Sequence, residues 1–525
     1  MPTETKIGAG ATIVSYNPAT GEALAELPCA TPEEIRSAVV RAKAAQPRWQ
    51  ATPVSQRIVV LRCFQELLRV RRDDVARLIC REAGKPAAEA LATEVLVVLD
   101  AVEFCIRNLH RFLRDRPVPH ANLAMKTKRG KLVQEPYGVI GIIAPWNYPF
   151  STPALETIQA LAAGNAVVLK PSEFTPLVAK ELERMFHTAG LDPALLQVVI
   201  GEGAVGAALL ESPIDKLIFT GSVATGKRVG ETAARRLLPV VLELGSKDPM
   251  LVLDDANLDV ASSGAVWFAF MNAGQTCVSL ERCYVHRTIY EPFLQKCQER
   301  IAKLRVGNGI GSDVEIGPMI HERQLKIVET QVNDAVRRGA RLLAGGKRLT
   351  ELGPNFYTPT LLADVTNDML IMQEETFGPV LPVAAFDSDE DAIRLANDSE
   401  FGLAASVWTR DRRRGEAVAE KLKAGAVMVN DMISCFGIAE APHGGFKQSG
   451  IGRAHGEMGF QEMVQTKYID VDLMPGVRKP WWFGYSRQYQ ESMGGFLDFL
   501  FARKLSARLR GALRSAGLFR RSNRI

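Results

Sequence analysis

The rhythm of hydrophobic positions changes along the chain, and the changes divide it. The opening YNPATGEALAELPCATPEEI alternates and turns. It predicts short strands leading to a helix capped near Thr31, with Glu33 and Glu34 in its first turn. From there to about Leu113, apolar residues recur at helical spacing. RPVPHANLAMKTKRGKLVQEPYG starts polar and turn-rich and then alternates, which predicts a hairpin or protruding strands. From Val139, short apolar runs (VIGIIAP, AVVLKPS, LLQVVIG, DKLIFTG) alternate with helix-like stretches. Strands that are apolar on both faces imply parallel βαβ units with helices covering the sheet. A second series follows Glu243: PMLVLDD, a helix around Ala261 to Ala273, CYVHRTI, a helix from Tyr290 to Leu304, then LPVAAF, LAASVWT and AVMVN. Two α/β domains fit this better than one, and no internal repeat or low-complexity tract interrupts them.

Composition agrees with that size. The 525 residues exceed one ordinary domain, and 47% hydrophobic with 23% charged residues is a globular balance with a large core. The eight cysteines (Cys29, Cys63, Cys80, Cys105, Cys277, Cys283, Cys297, Cys435) are thinly spread, with no Cys-x-x-Cys pair. That disfavours a disulfide framework or structural zinc and favours a reducing compartment. MPTETKIGAGATIV has no cationic region followed by an apolar run, so no secretory signal is expected. No stretch approaches the roughly 20 uncharged apolar residues of a membrane span.

Charge is uneven. Residues 476–525 hold eleven Lys/Arg against Glu491 and Asp498, a net of +9, so the preceding 475 residues carry −4 of the total +5. In this tail Phe501, Leu505, Leu509 and Leu513 recur every four residues. Arg503, Lys504, Arg508, Arg510 and Arg514 fill the other faces, and Trp481 and Trp482 precede them. The pattern reads as a basic amphipathic helix lying in a membrane interface. The alternative is a basic helix packed on the body or on a partner subunit. Nucleic-acid binding is not expected, because no recognised module accompanies the charge.

Several short segments carry chemistry. Gly274-Gln275-Thr276-Cys277 follows a helix-like stretch and precedes a strand-like one, and backbone N–H groups flanking a cysteine in such a loop favour a thiolate. A lone cysteine is otherwise a small buried hydrophobe, the reading kept for Cys283. Val241-Leu242-Glu243-Leu244-Gly245 sets an acid inside an apolar run, where burial lifts its pKa toward that of a general base. Two prolines fix the turn of Ala144-Pro145-Trp146-Asn147-Tyr148-Pro149, holding the Asn147 amide where it can meet an oxyanion. Two glycine motifs compete for a cofactor's phosphates: Gly201-Glu202-Gly203-Ala204-Val205-Gly206, and Gly221-Ser222 with Gly226. Each follows a strand and opens a helix. Lys170-Pro171-Ser172-Glu173 offers a cation and a ribose-binding carboxylate. No cluster with metal-ligand spacing occurs, and no metal is expected.

Together these motifs resemble the aldehyde dehydrogenase superfamily, in the family's order, from about Tyr16 to Tyr468. The resemblance implies Cys277 as nucleophile, Glu243 as general base and Asn147 as oxyanion donor. It implies NAD, with NADP use open, held by Trp146, Lys170, Glu173, Gly221, Ser222, Gln324, Glu375 and Phe377. Lys170 and Glu173 then hold the adenosine ribose, and Gly221 and Ser222 the pyrophosphate. Gly201, Gly203 and Gly206 move to the adenine side. Gln324 of GPMIHERQ and Glu375 of EETFGPV serve the nicotinamide ribose, and Phe377 the nicotinamide. GGFKQSGIGR and HGEMGFQE are similar to the closing segments, with Glu457 as a proton relay. Two positions depart from the family pattern, Ser246 for a glycine and His443 for an apolar aromatic, and neither is expected to touch the chemistry.

The expectation is an α/β protein with two Rossmann-like parallel-sheet domains, a small β oligomerisation element and a basic amphipathic C-terminal helix. Residues 1–116 with 134–245 would bind the cofactor and 246–440 would form the catalytic domain. Residues 117–133 with 441–475 would supply oligomerisation strands and a closing segment, and 476–525 the tail. Cys277 would form a thiohemiacetal and then a thioester, which Glu243 hydrolyses through water. Glu173 favours NAD by repelling a 2′-phosphate. Phe150, Trp267, Met271, Thr276, Val278 and Phe436 suggest an apolar, lipid-derived aldehyde. The alternatives are a semialdehyde dehydrogenase with an acid or acyl-CoA product, and a catalytically silent membrane-associated scaffold. A homo-dimer or tetramer is expected, cytoplasmic or peripheral on the cytoplasmic membrane face.

Overall fold

The computed structural model describes residues 10–311, 313–479 and 481–521. The expectation about a leader falls largely on residues 1–9, outside the described residues. The chain forms two compact units, Met1–Phe112 with Pro136–Gln465, and Leu113–Glu135 with Thr466–Ile525.

The larger unit contains both parallel sheets. In the first, the strand order is Gly450–Ile451, Val240–Glu243, Lys216–Thr220, Val139–Ile143, Ala166–Lys170, Leu196–Val198. All neighbours pair in parallel except Gly450–Ile451, which lies antiparallel on Val240–Glu243. Strand order reverses beside Val139–Ile143. The crevice at the carboxyl ends of strands at such a switch is where α/β sheets bind ligands. Asn147, Lys170 and Gly221 all lie at or just past those ends. The second sheet runs Arg341–Ala344, Thr360–Ala363, Val380–Phe386, Arg282–His286, Pro249–Val252, Ala404–Trp408, Ala426–Val429, with only Arg341–Ala344 antiparallel. Its inner strands are fully buried, which is why they read as unbroken apolar runs. Of segment 441–475, Gly450–Ile451 completes the first sheet, and the residues from Thr466 belong to the smaller unit.

Thr31 caps helix Pro32–Ala51 in a reciprocal capping box with Glu34. Among the described residues all eight cysteines are free, and no helix is long and apolar enough to cross a membrane.

In the smaller unit, Val464–Asp472, Lys128–Pro136 and Arg116–Val118 form a three-stranded sheet. The tail departs from expectation. The single amphipathic helix is two, Arg487–Phe501 and Leu505–Arg521, separated by an extended Ala502. Small residues cause the fold-back. A Cβ on Gly495 would meet Arg514 Cβ at 2.4 Å, and one on Gly511 would meet the Phe499 nitrogen at 2.5 Å. The helices therefore pack backbone to backbone, and the larger apolar side chains face outward. Leu513 is 79% exposed, and Phe501, Leu505 and Leu509 are also exposed.

Candidate active site

Cys277 sits in the loop between helix Leu258–Phe270 and strand Arg282–His286. Asn272 and Ala273 turn the loop in the left-handed region, at φ 51 and 54, a strained choice for non-glycine residues. Gly274, at φ +73, presses against another backbone: a Cβ there would lie 2.0 Å from the Gly378 carbonyl oxygen. Gln275 ties the loop down, its Oε1 accepting from Ile320 N–H (2.9 Å) and its Nε2 donating to the Asn272 carbonyl (2.9 Å).

Asn147 meets this loop. Its Nδ2 donates to the Gln275 carbonyl at 3.1 Å, and Asn272 Nδ2 donates to the Asn147 carbonyl at 3.0 Å. The turn carrying Asn147 is held by residues that motif reading missed. Glu94 accepts from the Phe150 and Ser151 N–H groups (2.9 Å each), capping helix Ser151–Ala163 where no side chain of the helix does so. Lys85 balances that buried carboxylate at 2.6 Å and lies 3.6 Å over the Tyr148 ring. Tyr148 and Thr276 share a hydroxyl hydrogen bond of 3.0 Å. The available signal was a lone acid in the apolar run ALATEVLVVL.

Cys277 keeps partial exposure. Burial first, then Asp248, Glu243, Glu375 and Cys435, push its thiol upward. This corrects the expected thiolate: the loop's N–H groups are outweighed by burial and surrounding carboxylates, so the resting nucleophile is a thiol. Glu243 ends strand Val240–Glu243 and is buried, not solvent-facing. Its carbonyl accepts from Gly221 N–H at 3.0 Å, tying the base to the phosphate turn. Neither carboxyl oxygen has a hydrogen-bond partner among the described residues. Burial, then Glu156, raise its pKa well above the ordinary range, against Arg453.

Both departures from the family pattern touch this chemistry, contrary to expectation. The Ser246 hydroxyl donates to the Cys277 carbonyl, and Ser246 N–H donates to Glu375 Oε1 at 2.8 Å. His443 Nε2 lies 4.0 Å from Glu243 Oε2 and stacks on His455 at 5.3 Å. Phe436 packs against both rings and against Tyr148. Burial lowers His443 to about 4 and His455 to about 3, so both are neutral at pH 7. Glu457 does not join the site: it is a half-exposed partner of Arg111 at 2.6 Å.

The remaining residues gather into a second patch. Trp146 lies edge-on to Phe377 at 5.3 Å, and Phe377 is held at φ 50. Glu281 fixes that conformation by accepting from the Thr376 (2.9 Å) and Phe377 (3.0 Å) N–H groups. Lys247 neutralises it at 2.5 Å. Gln324 Nε2 donates to the Thr376 (3.0 Å) and Phe377 (3.3 Å) carbonyls. Ser222 caps helix Val223–Arg236 through Thr225 N–H, and no acid stands in the first turn, a setting that suits an anion. The competing glycine motif instead has Glu202 at the N-cap of helix Gly203–Glu211, where a carboxylate repels phosphate. Lys170 is buried 3.3 Å from Glu173, and a Cβ on Gly206 would lie 3.9 Å from Lys170 Cδ. These residues fit a dinucleotide.

A cavity of 660 Å³ reaches the nucleophile loop at Met271, with Val266, Trp267 and Phe270 on the same wall; Cys277 itself is not in its lining. Phe150 and Val278, expected in the pocket, are fully buried and do not line this cavity.

A dinucleotide-binding α/β fold with a partly exposed loop cysteine under the influence of a buried carboxyl defines a class, the oxidoreductases that work through a covalent thiol adduct. Residues 6–469 match the aldehyde dehydrogenase family, and the chain belongs to it. Members use NAD or NADP, and this chain is such an enzyme. It is 39% identical over 490 residues (93% of this chain, 91% of the relative) to a 4,4'-diapolycopene aldehyde oxidase of Methylomonas sp. It is 40% identical over 460 residues (87% and 86%) to a mitochondrial succinate-semialdehyde dehydrogenase of Arabidopsis thaliana. Among solved structures, an E. coli NADP dependent enzyme matches with a TM-score of 0.84 at 38% identity, over 88% of this chain and 95% of that one.

Proposed function

We propose that this enzyme oxidises an uncharged, apolar aldehyde to its carboxylic acid through a thioester on Cys277. What supports the reading most is a partly open Cys277, an Asn147 amide bonded to the loop that carries it, and a buried Glu243 carboxyl that acts on the Cys277 thiol and has no hydrogen-bond partner among the described residues. Cys277 Sγ, once deprotonated, adds to the carbonyl carbon, and the Asn147 amide with the Cys277 backbone N–H receives the oxyanion. NAD(P), when bound, supplies the hydride acceptor. Lys170, Glu173, Gly221 and Ser222 would hold its adenosine half, and Trp146, Gln324, Glu375 and Phe377 its nicotinamide half. Glu243 takes a proton from the water that cleaves the thioester, which favours an acid over an acyl-CoA product.

The cavity supports the apolar substrate. Trp267, Phe270 and Met271 line it; of its three basic lining residues, Arg300 is engaged with Ser262 and Asp259 and Arg305 with Glu315, and Lys303 is the third. NAD is preferred, because a half-exposed Glu173 repels a 2′-phosphate. The test is a panel of alkyl, polyene and carboxylate-bearing aldehydes, followed by NADH and NADPH formation side by side. The highest kcat/KM is expected with a long uncharged aldehyde and NAD, and a maximum with succinate semialdehyde would contradict it.

The tail supports an anionic membrane surface as partner. Its hairpin turns Phe501, Leu505, Leu509 and Leu513 outward beside Arg503, Lys504, Arg508 and Arg510, with the exposed Trp482 and Phe483 ahead of them. An exposed apolar stripe flanked by cationic groups is complementary to acyl chains under anionic headgroups. The likeness to the diapolycopene aldehyde oxidase spans 490 residues, more than precede the tail. A homo-dimer or tetramer through the three-stranded sheet remains part of the proposal.

A further inference from the structure

Cys277 and Asn147 are carried by different segments, and one short stretch of chain touches both. Glu89 Oε2 accepts from the Asn272 N–H of the nucleophile loop at 3.0 Å. Five residues on, Glu94 accepts from Phe150 and Ser151 at the Asn147 turn. Lys85 pairs with Glu94 at 2.6 Å, and its charge also acts on Glu89. The local backbone brings the two acids together. An α-helix has about 3.6 residues per turn, so residues five apart point to different sides. Here helix Ala87–Ala90 passes into a π-turn over Leu91–Val95, in which the Leu96 N–H donates to the Leu91 carbonyl. That wider turn carries Glu94 back toward the side of Glu89. Such turns are rare and are frequent at functional sites.

The loop that Glu89 meets needs support. Asn272 and Ala273 hold left-handed backbone at φ 51 and 54, which persists only where the surroundings over-determine it. Asn272 Nδ2 in turn donates to the carbonyls of Asn147 (3.0 Å) and Gln275 (2.9 Å). Asn272 is therefore the joint between the two segments, and Glu89 holds its backbone. Glu89 also lines the cavity that reaches Met271, and its Oε1 is buried without a hydrogen-bond partner among the described residues. Burial raises Glu89 to about 7, opposed by Lys85 and the Asn272 N–H, with Glu94 raising it further. An acid left so costs free energy, and the aldehyde chemistry derived above gives Glu89 no task.

We propose that Glu89 is a positioning residue for the nucleophile: with Lys85 and Glu94 it clamps the Cys277 loop against the Asn147 turn, so that Cys277 Sγ and the Asn147 amide meet the same carbonyl group. This rests on the functional reading above, in which those two residues act together. Glu94 fixes the turn through two N–H groups, and Glu89 fixes the loop through one. Loss of Glu89 frees the loop while Lys85 keeps its partner in Glu94.

The test is rapid mixing of the full chain, saturated with NAD, with propanal, together with a fluorescence titration of NADH binding. Glu89→Leu removes the acceptor. It should lower the rate of the first-turnover NADH burst on the order of tenfold, because small misplacements of reacting groups cost rate steeply. The dissociation constant for NADH should be unchanged. Glu89→Gln keeps an acceptor oxygen of the same reach and should recover most of the burst rate. Glu89→Asp keeps the charge but falls short of the Asn272 N–H and should be slowed like Glu89→Leu, so the Gln and Asp variants decide the matter if the Leu variant does not fold. A parental burst rate in Glu89→Asp overturns the clamp, as does equal slowing of the Gln and Asp variants, or a loss of NADH binding in step with the rate. A parent enzyme without any burst would instead fail the thioester reading, and the clamp with it.

Discussion

Burial governs the reactivity of Cys277. Its thiol is raised by burial and by Asp248, Glu243 and Glu375, so the resting enzyme should be sluggish toward alkylation at neutral pH. Iodoacetamide labelling followed by peptide mapping should modify exposed Cys63 well before Cys277 at pH 7, with the Cys277 rate climbing as pH rises. Fast labelling of Cys277 at pH 7 would contradict the thiol assignment. The sign for Glu243 follows in the same way. A base must be ionised to work and its pKa is raised, so turnover should fall as pH drops through a value well above the ordinary carboxylate range. Cys277, Glu243 and Asn147 were legible because each sits in a short, chemically unusual segment. The contacts of Ser246 with the Cys277 carbonyl and of His443 with Glu243 were not. They join residues far apart in sequence, and no local pattern encodes such an approach.

Helix Ser151–Ala163 positions more of the site than any motif suggests. Its N-terminal N–H groups are satisfied by Glu94, whose charge is balanced by Lys85 in a fully buried pair. Glu94→Gln leaves the Lys85 charge unpaired in the core, so denaturant unfolding should show a loss of about 3 kcal/mol. The loosened Asn147 turn should cost activity under conditions where the variant is still folded. A change below about 0.5 kcal/mol, the scale of neutral surface substitutions, would show that the pair does not anchor the turn. Strand positions were legible wherever a strand is buried on both faces, as at Ala166–Lys170 and Pro249–Val252. The antiparallel edge strand Arg341–Ala344 escaped notice because its exposed face leaves no apolar run. The tail escaped for another reason. The four-residue stripe runs on past Ala502, but Gly495 and Gly511 allow a close helix pair whose stability lies in backbone contact, not in periodicity.

Across the whole molecule, the two parallel sheets followed from the alternation of apolar runs with helical stretches, while the pairing of Gly450–Ile451 with Val240–Glu243 is one that only the folded chain reveals. The tail makes a prediction at this scale. The full chain should co-sediment with anionic liposomes and a chain ending at Lys479 should not. High salt should weaken the binding through its charges, and Leu505→Asp with Leu509→Asp through its apolar face. Equal sedimentation of the two forms would remove the membrane from the account. Oxidation of a small soluble aldehyde should be unchanged in all of them, because Cys277 and Glu243 belong to the other unit. The central claim is the covalent intermediate, and intact-mass measurement of Glu243→Gln after mixing with NAD and aldehyde tests it most directly. The account predicts a stable adduct on Cys277, heavier than the free protein by the aldehyde less one hydrogen molecule, formed together with one equivalent of NADH per active site. An unmodified protein that nevertheless turns over at the parental rate would contradict it.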